Sequence, residues 1–593
     1  MNDTLSGTKR EPQRALVFIG AWPGWLERSA TLLALLLFLA LASFQLMSPG
    51  LNYDEAFDVV PAMQLLLGQP TEPLRESGLH IARRTFPLMV MDYKGVVHTY
   101  WTLPFLWALG VNVFALRLSC VFLSLLTMAL VYRFGRQLYG PRAAVAALSL
   151  LAVNPCFLFW SRQGVLWTTA MLTCGMGALA ALGRWRGQER AWGLYLGAFL
   201  LGLGVSAKLL FLWFVLALAI SVAFLNTDKL WAAWHSLVAE RCTKRLESTE
   251  AGYRKRTAKR LSIALLAFLL GLLPMLIYNL QTRGTVDVLL LNLRTSYYGV
   301  NNLAYLPNLR LRWNHLRALL DGSNFWYLGG VHRDPIFPLA FWVSAGVILA
   351  WSLRWALRRD DSSLGWKARP QPPCPLLSLF PLLMMAVIVL ESEVTVSGLW
   401  PEHYLLLVPF PQLVIALGVD LWGSHLWRRQ PVGAGLRPAP TLLVLALLMA
   451  SQLRVDVLYH RALAHSGGFS SHSDANYKLA HYLDRKGRPV VAMDWGIKAP
   501  VQFLTQGRVN PEERFGFQSL DHPGPDFAVG VASYLEDRDT YYIFHAPTET
   551  VYQGRREAFE KLVRERGLIP DGKRIIYDRS ARALFVVMEV DEP

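Results

Sequence analysis

Residues 29–53 read SATLLALLLFLALASFQLMSPGLNY and contain no Asp, Glu, Lys or Arg. About 20 mostly apolar residues in a helix cross the hydrocarbon core of a bilayer, and only a helix satisfies its backbone hydrogen bonds within one such segment. The stretch therefore predicts a membrane-spanning helix. It includes Ala40-Leu41-Ala42, which resembles a signal-peptidase site, but residues 1–28 precede it and the uncharged run is long, so we interpret it as an uncleaved anchor.

Similar uncharged stretches recur as far as residue 453, and the composition agrees with them. Hydrophobic residues make up 53% of the chain and charged residues 17%, whereas soluble proteins usually contain about 25% charged residues. These values exclude a water-soluble multidomain protein and a disordered chain. The further stretches are 95–116, 118–132, 143–161, 163–183, 191–207, 209–227, 261–282, 335–353, 370–390, 403–419 and 438–453.

The stretches 95–116 and 118–132 are separated only by Arg117, with a turn signal at Gly110-Val111-Asn112. We interpret 112–134 as a span and 95–110 as an interfacial or re-entrant segment, which leaves eleven spans. With the N-terminus inside, most Lys and Arg residues before residue 455 then lie in cytoplasmic segments, as the positive-inside rule requires. If both stretches crossed the membrane, every later loop would be reversed.

This topology divides the chain into three parts in the cell (inner) membrane. Residues 1–28 are a cytoplasmic N-terminus, and residues 29–455 are a transmembrane domain with outer loops 48–111 and 281–334. The net charge of +16 is spread over the cytoplasmic segments, of which 226–260 is the most basic. It therefore indicates contact with anionic lipid and not with nucleic acid.

Residues 456–593 have a soluble composition and predict an extracytoplasmic α/β domain. We expect helices at 474–486, 497–506 and 554–567, and strands at 489–493, 540–545, 573–577 and 583–590.

Several motifs with metal or cofactor associations are better explained by packing. The glycines of Gly202-Leu203-Gly204-Val205-Ser206-Ala207 lie in an apolar span without a preceding strand, which favours close helix packing over dinucleotide binding. The five cysteines show no C-x-x-C spacing, and four histidines at 460, 465, 472 and 481 fit no zinc pattern. The cysteines are Cys120, Cys156, Cys174, Cys242 and Cys374.

Two adjacent carboxylates, Asp54 and Glu55, follow the first span at the outer membrane surface. Neighbouring side chains on a helix diverge by about 100°, so only one of the two can point into a given site, and the other caps or braces the segment. One interpretation is that Asp54 caps an amphipathic helix over 55–67 that lies on the bilayer. A functional carboxylate is the alternative, and the two roles are compatible.

Four basic side chains lie on the same predicted side of the membrane as Asp54, in the outer loop or at the outer ends of spans. Lys94 and His98 stand beside aromatic residues in the outer loop, and Arg162 and Lys208 end later uncharged stretches. Such side chains can hold a lipid phosphate, although snorkelling of a cation to the interface is the alternative for each.

The spans and outer loop also carry a series of short motifs. They are Tyr53-Asp54-Glu55-Ala56, Lys94 with Tyr100-Trp101, Gly110-Val111-Asn112 through Ala115-Leu116-Arg117-Leu118, Phe134-Gly135-Arg136 to Tyr139-Gly140, Asn154-Pro155, Ser161-Arg162, and His403-Tyr404-Leu405 to Pro409-Phe410. This series resembles the protein mannosyltransferase and lipid A aminoarabinose transferase family of the GT-C superfamily. The resemblance covers about residues 30–210 and the late motif. It implies a polytopic α-helical membrane protein of about 11 transmembrane helices, GT-C-like, with the α/β domain appended.

The resemblance also implies an activity, namely transfer of a sugar from a polyprenyl-phosphate donor to a lipid, glycan or protein acceptor on the outer face, with inversion. Asp54 and Glu55 would be catalytic, with Asp54 activating the acceptor or helping to hold a metal. Lys94 would bind the lipid phosphate, with His98, Arg162 and Lys208 as further donor contacts. Asp92 and His403 are candidates for an acceptor or metal contact, and a divalent ion stays open as a cofactor.

The chain departs from the family pattern at two places. Gly95-Val96 stands where Pro-Pro is common, and Trp167 stands where an acidic residue is frequent. These departures bear on metal binding and on the substrate class, so neither mannose nor aminoarabinose is inferred as the sugar. Two other functions are also considered, since intramembrane cations and interfacial aromatic residues would suit movement of a phosphate headgroup as well. One is a transporter or flippase for a lipid-linked glycan, and the other is a membrane-anchored binding or sensor protein in which residues 456–593 act and Asp54 and Lys94 are dispensable.

Overall fold

The computed structural model describes residues 23–163, 168–188, 190–226, 247–293, 300–357, 375–394, 401–427, 439–517 and 519–592. Most of the predicted cytoplasmic N-terminus, most of the basic segment 226–260, Trp167, Cys242 and Cys374 lie outside them. Cys120, Cys156 and Cys174 are free and buried.

Helices dominate the described part of the chain, and each of the eleven predicted spans contains one. Among the described residues, four helices are long and apolar enough to cross a membrane, and up to seven spans result if each bent pair counts as one. In chain order the helices are α1 (Gly24–Ser43), α2 (Tyr53–Phe57), α3 (Val60–Leu67), α4 (Val97–Leu109), α5 (Val113–Tyr139), α6 (Pro141–Ala152), α7 (Pro155–Gln163), α8 (Thr168–Gln188), α9 (Ala191–Ala207), α10 (Leu212–Leu225), α11 (Glu247–Gly271), α12 (Leu273–Thr282), α13 (Gly284–Leu291), α14 (Tyr305–Asp321), α15 (Ile336–Leu357), α16 (Pro375–Ser378), α17 (Phe380–Glu391), α18 (Pro409–Trp427), α19 (Ala439–Ser466), α20 (Ala475–Lys486), α21 (Lys498–Leu504), α22 (Phe527–Ala532) and α23 (Arg555–Glu565).

Three of the apolar segments are bent at a proline. Helices α6 and α7 meet at 63°, as do the two halves of the α11–α12 pair, and the 3₁₀ segment Pro401–Leu407 meets α18 at 45°. In each pair a proline lies in the first turn of the second helix, where its missing N–H costs nothing. Asn154 caps α7, because its side-chain oxygen accepts from the Phe157 amide at 3.0 Å.

The predicted turn at Gly110-Val111-Asn112 is confirmed. Helix α4 ends at Gly110, which has φ +82°, and α5 begins after Asn112, whose side chain accepts from the Ala115 amide at 2.9 Å. A positive φ is inexpensive only for glycine, so this residue allows the chain to fold α4 back against α5.

The predicted packing role of the glycines in α9 is also confirmed. A Cβ atom on Gly202 would lie 2.0 Å from the Phe268 carbonyl oxygen, and one on Gly271 would lie 2.2 Å from that of Phe199. Helices α9 and α11 therefore touch backbone to backbone, which larger residues would prevent.

The amphipathic helix predicted over 55–67 is broken at Asp58 into α2 and α3, and two expectations about it are wrong. Asn52, not Asp54, caps α2, since the Asn52 side chain accepts from the Asp54 amide at 2.9 Å. The apolar face of α3 does not lie on lipid, because Val60 and Met63 are buried in a protein cluster that includes Leu116 of α5 and Phe503 of α21.

Two short antiparallel hairpins complete this outer loop. They pair β1 (Leu79–Ile81) with β2 (Arg84–Phe86), and β3 (Met89–Met91) with β4 (Lys94–Gly95).

The C-terminal region contains a five-stranded sheet, as predicted for an α/β domain. Its spatial order is β6 (Glu512–Glu513), β5 (Val490–Ala492), β7 (Tyr541–His545), β9 (Ala583–Asp591) and β8 (Ile569–Tyr577). The first three strands run parallel, and β9 is antiparallel to both of its neighbours. All the predicted helices and strands of this region are confirmed, and the short elements β6 and α22 were not anticipated.

This region packs directly on the outer loop of the membrane part. The Asn476 side chain donates to the Leu51 carbonyl at 2.8 Å, and Gln506 donates to that of Val111 at 3.1 Å. The rings of Trp495 and Tyr53 pack with centroids 4.8 Å apart. The start of α2 is thus held between the first span and the sheet domain.

Candidate active site

A buried ammonium group joins two carboxylates at the start of the outer loop. Lys94 Nζ lies 2.7 Å from Asp58 Oδ1 and 3.9 Å from Asp54 Oδ1. The side chains of Lys94 and Asp58 are fully buried, whereas that of Asp54 is 20% exposed. Asp54 is therefore the member of this group that a ligand can reach.

Lys94 is positioned by a backbone contact between β4 and the end of α9. Lys94 and Lys208 form an antiparallel bridge, and the Leu209 amide donates to the Tyr93 carbonyl at 2.9 Å. A Cβ atom on Gly95 would lie 2.1 Å from the Ser206 carbonyl oxygen. The glycine that departs from the family pattern is thus required by the close approach of these two segments.

The bridge brings a second basic pair to the same place. Lys208 Nζ lies 2.9 Å from His403 Nε2, and both side chains are buried. His403 comes from the 3₁₀ segment Pro401–Leu407. We call Asp54, Asp58, Lys94, Lys208 and His403 together the outer polar cluster, which unites three segments distant in sequence.

Asp58 and Glu402 were not recognised from the sequence. Asp58 follows Asp54 by four residues, a spacing that places two side chains on one face of a helical turn and would have been the signal. Burial raises the pKa of Asp58 to about 7, against the opposing charge of Lys94. Glu402 interacts electrostatically with Asp54 and Lys208, and only its adjacency to His403 pointed to it.

Glu55 lies in a different environment from its neighbour Asp54. Arg117 donates to it through Nε and Nη2, both at 3.0 Å, and both side chains are fully buried. Arg117 also donates to the carbonyls of Leu46 and Pro49 at 2.9 and 2.8 Å. Of the two predicted roles for the adjacent carboxylates, this geometry favours bracing for Glu55, because the pair ties the first span to α5.

The remaining predicted site residues lie outside the outer polar cluster. Arg162 is buried on the Glu55 side, where Nη2 donates to the Ser48 carbonyl at 3.4 Å. His98 Nε2 faces Cys120 Sγ at 3.2 Å. Both oxygens of Asp92 accept from Arg75, at 2.8 and 3.0 Å, and Oδ1 also accepts from Tyr278.

The described residues do not fit a divalent metal ion at this site. No group of three or more His, Cys, Asp or Glu side chains among them is placed to hold one. Within the cluster, the Lys94 ammonium lies 2.7 Å from Asp58 and 3.9 Å from Asp54, so a cation of the protein already occupies the space between the two carboxylates.

An apolar groove of about 720 Å³ begins beside the cluster, at Val97 and Trp101 of α4. It continues between α5, α8 and α9 along residues such as Leu130 and Leu200. At its far end lie Arg133 and Arg184. The groove thus runs from the start of α4, three residues after Lys94, along most of the length of these helices.

Comparisons with known proteins give consistent similarities. Residues 96–239 match the model of the dolichyl-phosphate-mannose-protein mannosyltransferase family. The chain is similar to the crystal structure of ArnT from Cupriavidus metallidurans bound to undecaprenyl phosphate, with a TM-score of 0.52, 13% identity, and coverage of 95% of this chain and 98% of that one. It is also similar to the archaeal oligosaccharyltransferase AglB from Archaeoglobus fulgidus in complex with an inhibitory peptide and a dolichol-phosphate, with a TM-score of 0.51, 13% identity, and coverage of 88% and 69%.

Among curated protein sequences, none matches the chain. The structural similarities confirm the predicted GT-C-like fold of a multi-pass membrane protein, and the family match agrees with the resemblance found in the sequence.

Proposed function

We propose that this protein is a membrane glycosyltransferase that moves a sugar from a polyprenyl-phosphate donor to an acceptor at the outer face, with inversion. The observation that carries the proposal is the outer polar cluster, in which an accessible carboxylate stands beside two buried lysines within a GT-C-like fold. The bound undecaprenyl phosphate of ArnT and the dolichol-phosphate of AglB support a donor of this class.

In the proposed reaction, the acceptor hydroxyl oxygen attacks the anomeric carbon while its proton passes to the Asp54 carboxylate. The bond from that carbon to the phosphate oxygen breaks, and polyprenyl phosphate leaves from the opposite face, which inverts the anomeric centre. Asp54 suits the role of base because Asp58 and Glu55 are buried and paired. Lys94 and Lys208 stabilise the negative charge that develops on the leaving phosphate.

The apolar groove between α4, α5, α8 and α9 suits the hydrocarbon chain of the donor. Val97 at its start lies three residues after Lys94 in the chain, so a phosphate near Lys94 and a hydrocarbon chain in the groove are compatible. Burial of an apolar chain contributes about 25 cal/mol per Å² of area removed from water.

The same proposal includes an orientation in the inner membrane, with the N-terminus cytoplasmic and residues 456–593 outside. The contact of Trp495 with Tyr53 supports one side for the sheet domain and the cluster. The basic residues Arg133, Arg136 and Arg142 at the opposite end of α5 and the start of α6 support a cytoplasmic location for that end.

The test uses the full-length protein in lipid nanodiscs, radiolabelled polyprenyl-phosphate sugars and membrane extract as acceptor. We expect transfer by the wild type and a loss of at least about 100-fold in Asp54→Asn, because a general base contributes about 10²–10⁴. Asp539→Asn is the matched control, since its side chain is largely exposed and distant in sequence from the cluster.

Equal transfer by Asp54→Asn and wild type, with both proteins folded, would remove Asp54 from the chemistry. An absence of transfer with every donor, together with measurable headgroup translocation in liposomes, would support the flippase instead.

A further inference from the structure

The C-terminal domain contains a second cavity, of about 290 Å³, that the transfer reaction does not use. It lies where the parallel strands β5 and β7 end, because Met493 and Asp494 follow β5 and His545 ends β7. Ligands of α/β sheets commonly bind in the crevice outside the carboxyl ends of parallel strands. The remaining lining residues are Phe544, Pro547, Thr550, Tyr552, Gln553, Gly554, Arg555, Arg556, Glu557 and Glu560.

A buried Asp–His pair forms one wall of this cavity. His545 Nδ1 lies 3.0 Å from Asp494 Oδ2, and both side chains are almost completely buried. The Asp494 carboxylate also accepts from the backbone amides of Trp495, Val551 and Tyr552, at 2.8, 3.1 and 3.0 Å. A carboxylate held by three amides is an acceptor only, so the imidazole Nδ1 must donate to it.

This assignment leaves the other ring nitrogen of His545 as an acceptor. In a neutral imidazole whose Nδ1 carries the proton, Nε2 has a lone pair. Nε2 has no hydrogen-bond partner within the described part of the chain, although the side chain is only 6% exposed. The ring packs on Phe585 at 5.0 Å, which fixes its orientation. His545 lines the cavity, so an oriented acceptor at this wall can take a hydrogen bond from a ligand.

The charges that line the cavity are largely balanced, which favours a neutral ligand. Arg556 Nε pairs with Glu560 Oε1 at 3.1 Å, and the Asp494 carboxylate is satisfied by three backbone amides and the imidazole N–H. Arg555 is buried and donates to the Phe515 carbonyl at 3.0 Å.

The remaining groups suit a compact molecule with several hydroxyls. Thr550 Oγ1 donates to the Ala546 carbonyl at 3.1 Å and Gln553 Nε2 to the Thr550 carbonyl at 2.9 Å, so their oxygens can still accept from hydroxyls. The Tyr552 and Phe544 rings supply apolar surface. A volume of about 290 Å³ is at the lower limit for small-molecule sites, which fits a single sugar unit.

We propose that the C-terminal domain carries a carbohydrate-binding site, in which His545 Nε2 accepts a hydrogen bond from a sugar hydroxyl and Asp494 holds the imidazole in the required tautomer. The site is separate from the outer polar cluster, but Trp495, the residue after Asp494, packs on Tyr53 beside Asp54. A sugar bound there is therefore one aromatic contact away from the catalytic loop. This inference does not depend on the transfer activity.

The experiment is saturation-transfer NMR on the full-length protein in nanodiscs, which avoids sugar-based detergents. The probes are D-mannose, D-galactose, N-acetyl-D-glucosamine, L-rhamnose and L-arabinose at millimolar concentration. The informative variant is His545→Asn, whose side-chain amide replaces Nδ1–H toward Asp494 but supplies nothing at the Nε2 position. His545→Gln is the companion variant, because its amide reaches the Nε2 position instead, and Asp54→Asn reports on the catalytic site.

We expect a saturation-transfer signal from at least one of the five sugars. The dissociation constant of that sugar should be at least about tenfold higher in His545→Asn than in the wild type. It should rise less in His545→Gln and should not change in Asp54→Asn. Thermal unfolding of each variant verifies that it is folded. The proposal is overturned if no probe shows saturation transfer, or if folded His545→Asn binds as the wild type does. Binding that is lost in Asp54→Asn but kept in His545→Asn would place the sugar at the catalytic site, which overturns this proposal and leaves the proposed transferase intact.

Discussion

At the scale of single residues, three neighbouring carboxylates of the outer loop have three different environments. Glu55 is closed in a bidentate pair with Arg117, Asp58 is buried against Lys94, and Asp54 alone keeps access to solvent. Breaking a buried ion pair by removing one partner costs about 3–5 kcal/mol, so Glu55 and Asp58 are constrained by folding as well as by chemistry. The exposed member is the one available for proton transfer.

The raised pKa of Asp58 predicts a pH dependence of donor binding. Since this pKa is about 7, Asp58 is largely neutral at pH 6 and charged at pH 8. The charged form competes with a donor phosphate for Lys94, so the dissociation constant of a polyprenyl-phosphate sugar should rise about tenfold from pH 6 to pH 8. The donor is a phosphodiester and keeps one charge over this range. Fluorescence titration of wild type and Asp58→Asn measures the effect.

The same pKa has a consequence for stability with a definite sign. Because the folded value of about 7 exceeds the unfolded value of about 4, the folded state binds this proton more tightly. The contribution of Asp58 to stability is therefore full below pH 4 and is lost as the pH rises toward 7.

The donor-binding prediction has a clear contrary outcome. If the dissociation constant of the donor changes with pH in Asp58→Asn as it does in the wild type, the pH dependence does not come from Asp58.

At the scale of elements, the site depends on how closely β4 approaches the end of α9. The bridge between Lys94 and Lys208 is the contact that places both ammonium groups, and it requires that residue 95 lack a side chain. Helices α9 and α11 also approach closely because Gly202 and Gly271 lack side chains at their contact. Small residues thus allow the close backbone approaches that place Lys94 and Lys208, although glycine carries no functional group.

We predict that Gly95→Ala reduces transfer at least tenfold and lowers the free energy of unfolding by about 1–3 kcal/mol, the usual cost of overpacking. The added Cβ would lie 2.1 Å from a backbone oxygen, so β4 must move and carry Lys94 with it. Transfer assays and thermal unfolding in nanodiscs measure the two effects. Gly346→Ala is the control, because a Cβ there meets nothing within 4 Å. Wild-type behaviour of Gly95→Ala would show that the close approach is not needed.

At the scale of the whole molecule, the sheet domain and the membrane part share one interface around α2. The hydrophobic cluster that contains Tyr53 and Val60 also includes Trp495 and Phe503 of the sheet domain. Hydrogen bonds add to this contact, since the side chains of Asn476 and Gln506 donate to backbone carbonyls of the outer loop. The domain therefore covers the segment that carries Asp54. It contacts this segment without contributing a residue to the outer polar cluster.

We predict that Trp495→Ala lowers the transfer rate about tenfold with little change in donor affinity, because the Tyr53 contact that orients α2 is lost while Lys94 and Lys208 keep their bridge. Steady-state kinetics with the purified donor separates the two quantities. Trp107→Ala is the matched control, since Trp107 is 74% exposed. An equal effect of both substitutions, or a change confined to donor affinity, would contradict a positioning role for Trp495.

Features that depend on neighbouring residues could be predicted from the amino-acid sequence. Uncharged stretches of about 20 residues specify helices because unpaired backbone groups are too costly in hydrocarbon. Alternating apolar runs predicted the strands after residue 489. The motifs around Asp54 and Lys94 predicted the GT-C-like fold. These signals are local, so a single sequence contains them.

Only the tertiary structure decided which distant side chains meet. Lys208 reaches His403 across 195 residues, and Asp494 reaches His545 across 51. Glu55 is closed off by Arg117, whereas Asp54 stays open, although the two are adjacent in the chain. Such pairings depend on bends at prolines, on glycines that let backbones touch, and on the docking of the sheet domain. Their outcome is set by packing in three dimensions, which residue spacing along the chain does not specify.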